Sequence, residues 1–193
     1  MNSLYQPKLQ HIKVPFDTPS YDVHLIYLYK WSSGHSAPMQ YLSHRKNLEV
    51  AAKHGKPEAL TTEREMYWHC RPSFVRGLAK KIPDGVDAIV IVPSESDELS
   101  VYRDEIMKQH PDMVDLTSSV QRAPNISSSS EHSPEERLNA MCYTAVSSAR
   151  PLRKIVILDD VLRTGISIAG VIKALSAHLE PPLEFVAACP LWM

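Results

Sequence analysis

Strand-like and helix-like segments alternate along this chain of 193 residues. That order predicts an α/β domain with a mostly parallel central sheet flanked by helices. Two apolar runs carry the prediction, Ala88 to Val92 and Ile155 to Leu158. Neither alternates with polar residues, as strands buried on both faces of a parallel sheet should not. The third observation is that helix start and stop signals fall between such runs, near 98–110, after Ser133 and around Ser167.

In chain order, "YDVHLIYLYKW" (21–31) is rich in β-branched and aromatic residues and short enough for a strand. "QYLSHRKNLEVAAKHG" (40–55) has loosely helical apolar spacing and ends on Gly55, a natural position after a helix C-terminus. A helix is expected from Thr61 or Thr62, either of which is placed to cap an acidic first turn. Pro72 predicts a break or kink, with a second helix over 73–81. "DGVDAIVIVPSES" (84–96) reads as a turn, a buried strand and a loop opened by Pro93. Residues 98–110 follow as a helix closed by Pro111, and 116–141 begin as a short strand that becomes a Ser-rich loop. Ser133, Pro134 and Glu136 then occupy the N-cap, N1 and N3 positions of a capping box. A strand over 154–158, an Asp-Asp turn, a helix from Ser167 to His178 and a strand over 182–192 complete the chain. Ligands in such sheets bind beyond the carboxyl ends of the strands, and the turns at 93–97 and 159–167 both lie there.

Composition narrows the function classes. The formal net charge of −1 argues against direct nucleic-acid binding. Cys70, Cys142 and Cys189 are scattered, which speaks against a disulfide scaffold or a structural zinc site and for a reducing, cytoplasmic setting. No window is apolar enough for a membrane span, and "MNSLYQPKLQHIKVPF" has no signal-peptide core. The run "MYWHC" (66–70) is expected as helix core packing, since no second ligand pair accompanies His69 and Cys70.

The chemistry concentrates in "KIVILDDVLRTGISIAG" (154–170). Asp159 and Asp160 are adjacent like charges directly after a buried strand, a costly arrangement unless something binds them. Thr164, Gly165, Ile166 and Ser167 lead into a helix N-terminus, where backbone N–H groups and the helix dipole favour a phosphate. Acceptor-only carboxylates beside a phosphate cradle suit the hydroxyls of an attached sugar. The local chemistry therefore reads as a sugar-phosphate site, with a solvated turn or a Mg²⁺ site of another α/β family as the plainer alternatives.

This stretch resembles the phosphoribosyl pyrophosphate (PRPP) motif of the type I phosphoribosyltransferases. The resemblance implies that Asp159 and Asp160 contact the ribose hydroxyls, that Arg163, Thr164, Gly165, Ile166 and Ser167 surround the 5′-phosphate, and that Mg²⁺ is the cofactor. "DAIVIVP" is similar to the family's pyrophosphate-loop strand, with Ser94, Glu95 and Ser96 in the loop. "VQRAPNISSSSEHSPEERLNAM" is similar to the segment of an Arg, a loop and an Arg-x-Asn in the ComF-like branch, with Arg122, Arg137 and Asn139 in the corresponding places. The implied architecture is one phosphoribosyltransferase-like domain over 1–193. Residues 1–83 would supply a variable hood and helices, and 84–193 the core with a flexible loop at 117–133 and the PRPP loop at 159–167.

Three features depart from the family pattern. Arg163 stands where a small residue is usual, and no cysteine-rich zinc module precedes Cys70. Glu95, Asp97 and Glu98 place acid near the expected pyrophosphate, to be offset by Mg²⁺ or Arg103. Two functions follow from the resemblance. One is an enzyme moving phosphoribosyl from PRPP to a nitrogen base with release of pyrophosphate. The other is a non-catalytic module that senses PRPP or a nucleotide monophosphate, or docks a protein partner. A homodimer is also implied, since relatives commonly pair.

Overall fold

A computed structural model describes residues 8–12, 21–30, 61–94, 97–124, 126, 132–144 and 151–192. The helix expected over 40–55 lies outside the described residues, as do Glu95, Ser96 and most of the Ser-rich stretch.

The chain runs β1 (Lys8–Ile12), β2 (Tyr21–Lys30), α1 (Thr61–Ala79), β3 (Ala88–Ile91), a 3-10 turn (Asp97–Leu99) and α2 (Ser100–Gln109). It continues through β4 (Val114–Asp115), a second 3-10 turn (Thr117–Ser119), β5 (Val120–Arg122), α3 (Pro134–Asn139) and β6 (Met141–Tyr143). It closes with β7 (Lys154–Leu158), β8 (Val161–Leu162), α4 (Ile166–Ser176) and β9 (Glu184–Trp192). The central sheet has the order β1-β2-β9-β7-β3-β4, with β8 beside β9. Every pairing in it is parallel except β1 with β2. β5 and β6 form a separate antiparallel pair.

The unbroken apolar runs are explained by two cores, one on each face of the sheet. Ile89, Ile91, Val156, Leu158, Val186 and Ala188 pack with Phe74, Leu78, Tyr102 and Ile106 of α1 and α2. Their neighbours Ala88, Val90, Ile155, Ile157, Phe185 and Ala187 pack on the other face with Val171, Ile172 and Leu175 of α4. Successive side chains alternate between faces, so a strand with helices on both sides must be apolar at every position. β2 takes part in the same way, with Ile26 on the first face and Val23 and Leu25 on the second. β2 and α1, in the stretch expected to supply a hood and helices, are built into the central layers.

The separate helix expected after Pro72 does not form, because α1 runs through the proline without a break. Tyr67, Phe74, Val75 and Leu78 are buried on both sides of the proline. That packing keeps both halves helical against the local cost of the missing N–H. Trp68, whose carbonyl loses its donor, is exposed, so water can satisfy it. At α3 the predicted capping box is present. Glu136 N donates to Ser133 Oγ at 3.1 Å, and Ser133 N donates to Glu136 Oε2 at 2.7 Å.

Candidate functional site

The geometry of the Asp-Asp bend starts from a proline on the neighbouring strand. Leu158 at the end of β7 pairs with Ala188, and Val161 at the start of β8 pairs with Leu191. Asp159 and Asp160 therefore fall opposite Cys189 and Pro190. Proline has no N–H, so β9 cannot donate at that level. Its ladder with β2 also skips that position, passing from Tyr27–Cys189 to Tyr29–Leu191. Asp159 N still reaches Ala188 O at 3.0 Å. The next two amides turn to the aspartates themselves, Asp160 N to Asp159 Oδ1 at 2.9 Å and Val161 N to Asp160 Oδ1 at 2.8 Å. Each half-buried carboxylate thus accepts a backbone donor, which offsets part of the repulsion between them. Below them Cys189 is wholly buried; burial, and then the charges of Asp159 and Asp160, push its thiol pKa well up.

Beyond β8, Arg163 and Thr164 are exposed and Gly165 turns the chain at φ 74° and ψ 0°. A side chain there would be strained, so glycine is needed. Gly165 is the N-cap of α4, its carbonyl accepts from Ala169 N at 2.8 Å, and no side chain caps the helix. The first-turn amides at Ile166 and Ser167 have no intrahelical acceptor, which makes this end suited to an anion.

The other expected loop begins next door. Ile91 pairs with Leu158, and Val92 N donates to Leu158 O at 2.9 Å. Ser94 follows, exposed, and Glu95 and Ser96 lie outside the described residues. From β3 the chain passes to β4 on one side of the sheet, and from β7 it passes to β9 on the other. The crevice between the ends of β3 and β7 is therefore a topological switch point, where open α/β sheets hold their ligands.

The auxiliary residues divide. Arg137, on the last turn of α3, is half-buried, and its Nε is buried with no hydrogen-bond partner. Its neighbour Leu138 packs on Ile166 and Ala169 in the first turn of α4. An orphaned donor beside an anion-favouring helix end is the kind of group a bound anion satisfies. Asn139 instead accepts from Lys173 Nζ, two turns along α4. Arg122 is half-exposed on β5, opposite Met141. Arg103, expected to offset the acidic loop, is held by carboxylates elsewhere: Nη2 lies 2.7 Å from Asp104 Oδ1 and Nη1 3.3 Å from Asp115 Oδ2. Among the described residues, no group of three or more His, Cys, Asp or Glu is placed to hold a metal ion.

Two features of the site go beyond the sequence reading. Pro190, which sets the bend, was visible as a proline inside an apolar run. Glu98, counted among the acids facing a ligand, turns inward to Tyr67 and Arg71 of α1. No local signal marks that contact, because its partners lie 31 and 27 residues away. No family model and no curated protein matches the chain.

Proposed function

We propose that the chain is a phosphoribosyltransferase of the type I fold, binding PRPP at the crevice between β3 and β7. The observation that carries this reading is the meeting, at one switch point, of a carboxylate pair and an uncapped helix N-terminus turned by Gly165. Asp159 and Asp160 would accept from the ribose 2′- and 3′-hydroxyls and favour positive charge developing at the anomeric carbon. The amides of 166–167, with Arg163 and Thr164, would hold the 5′-phosphate, and Ser94 to Ser96 would face the diphosphate. The bond from the anomeric carbon to the diphosphate oxygen breaks, and pyrophosphate leaves with the electron pair. A base nitrogen bonds to that carbon and releases its proton to solvent.

Mg²⁺ carried on the diphosphate would neutralise the leaving group. Two carboxylates, with no larger acidic cluster among the described residues, suit an ion bound mainly through substrate oxygens and water. Inward-turned Glu98 also removes one of the three acids that would oppose the diphosphate.

A second reading is favoured by Arg103, which is tied to Asp104 and Asp115. A module that binds a nucleotide monophosphate without turnover would need no cation on that side. Pyrophosphate release from PRPP across a panel of nucleobases separates the two. The enzyme releases it with some base and loses that activity on Asp159→Asn, whereas the sensor binds a nucleotide and releases none.

A further inference from the structure

Pro190 presents a physical question of its own. β9 lies between β2 and β7, with a neighbour on each side, and Pro190 is buried within it. A proline there forfeits a ladder bond, so prolines in sheets are largely confined to edges, strand starts and bulges. The register shows which bond is forfeited. Glu184 N donates to Arg153 O at 2.7 Å, and Asp159 N donates to Ala188 O at 3.0 Å. The pairing advances residue for residue from Lys154–Glu184 to Leu158–Ala188, so the even-numbered residues of β9 turn their backbone groups to β7. The next even-numbered residue is Pro190, and the carbonyl that its amide would reach is that of Asp159. One residue earlier the ladder is intact, since the Leu158 carbonyl accepts from Val92 N on the opposite side at 2.9 Å.

The side chains record the consequence. In an unbroken strand, residues three apart face opposite sides of the sheet. Leu158 and Val161 instead pack in the same core, the one under α1 and α2, and Leu162 packs in the other. β9 slips in step: Ala188 and Leu191 share the first core, while Cys189 lies in the second. Both strands thus lose their alternation together, at the level that holds Asp159, Asp160 and Pro190. Adjacent residues of an intact strand would send their carboxylates to opposite faces, and the bend lifts that constraint.

We propose that Pro190 is a positioning residue: by withholding a hydrogen bond from the Asp159 carbonyl, it keeps Asp159 and Asp160 in a bend where both carboxylates can reach one sugar. The inference rests on the proposed function. It adds that selection for the ribose hydroxyls is set from β9, by a buried residue on the neighbouring strand.

Pro190→Ala and Pro190→Val each return the amide, with side chains of different size. A buried amide needs an acceptor, and the Asp159 carbonyl is the one in line. Scalar coupling across the hydrogen bond, between the nitrogen of residue 190 and the Asp159 carbonyl carbon, reads the new bond by NMR. Calorimetry reads its effect with ribose 5-phosphate and 2-deoxyribose 5-phosphate, which differ by one hydroxyl. The wild type should prefer ribose 5-phosphate. In both variants the coupling should appear, and ribose 5-phosphate should weaken by at least about tenfold, the scale of one hydrogen bond to a charged group. The deoxy sugar should weaken less, so that the preference shrinks. Circular dichroism confirms folding, and if only one variant folds, that one decides. Equal weakening of both sugars, unchanged binding, absence of the coupling, or failure of both variants to fold overturns the positioning role while the proposed function stands. A wild type that binds neither sugar, or that does not tell them apart, overturns the proposed function, and the positioning role falls with it.

Discussion

Gly170 and Gly77 both lie inside helices, and replacing each with alanine should move stability in opposite directions. Alanine in a helix interior is favoured over glycine by about 1 kcal/mol, because the glycine chain loses more freedom on folding. At Gly77 that gain meets little resistance. The new Cβ would lie 3.3 Å from Leu28 Cδ2, the far end of a side chain that can shift by a few tenths of an ångström. At Gly170 the Cβ would lie 2.9 Å from Met141 Cγ and 3.0 Å from the backbone carbonyl of Leu138. That carbonyl belongs to α3, which is fixed by its own packing on α4 and cannot retreat alone. Overpacking of this kind costs about 1–3 kcal/mol, so the net effect at Gly170 is a loss of roughly 0–2 kcal/mol once the helix gain is subtracted. For a chain of this size each kcal/mol moves the melting temperature by about 2–4 °C. Urea and thermal unfolding followed by circular dichroism should show Gly77→Ala at or above the wild type and Gly170→Ala below it. A Gly170→Ala protein stabilised as much as Gly77→Ala would refute the close approach of α3 to α4, and with it the packing that places Arg137 near the start of α4.

Asp87 Oδ2 accepts from Arg153 N at 3.0 Å and Lys154 N at 2.9 Å, so Asp87→Ala should cost about 2 kcal/mol in urea unfolding; an unchanged midpoint would deny that these bonds order the start of β7. Hydrogen bonds from the Ser133 backbone and side chain, in that order, hold the Glu136 carboxyl below its ordinary pKa. The folded value is depressed, so the α3 cap contributes fully above the unfolded carboxylate pKa and fades as pH falls through the folded one. Hydrogen-exchange protection at 135–139, relative to the intrinsic rate at each pH, should fall in that acid window, and Glu136→Gln should flatten the dependence; the same slope in both proteins would contradict it. A thiol reagent should label exposed Cys142 quickly and leave Cys189 untouched until unfolding, since burial and the adjacent aspartates disfavour its thiolate. Rapid native labelling of Cys189 would place the Asp-Asp bend elsewhere.

The parts of this fold that were legible in sequence are those that one segment specifies by itself. Ala88 to Val92 and Ile155 to Leu158 announce strands covered on both faces because every position must be apolar. Ser133, Pro134 and Glu136 announce α3 because a capping box is complete within four residues. The short strand expected near the start of 116–141 has its counterpart in β5, but β6 escaped notice, since a segment of three residues carries no period. Pro72 misled because a local cost was outweighed by burial of Tyr67, Phe74 and Leu78 against the sheet. At the site, the carboxylate pair and the Thr-Gly turn were readable as chemistry. Their shape was not, since it depends on Pro190 across the sheet. The orientation of Glu98 was hidden for the same reason, its partners being on α1.

The central claim is that Asp159 and Asp160 hold a sugar phosphate beside the helix opened by Gly165. Its most direct test is calorimetric titration of PRPP with Mg²⁺ into the wild type and into the Asp159→Asn/Asp160→Asn double variant. Asparagine keeps the Oδ1 acceptor that each bend amide needs, so the bend survives while both charges are lost. Saturable binding by the wild type, weakened by at least about tenfold per carboxylate in the variant, is the predicted result. Equal binding by both proteins, or none by a folded wild type, would contradict it.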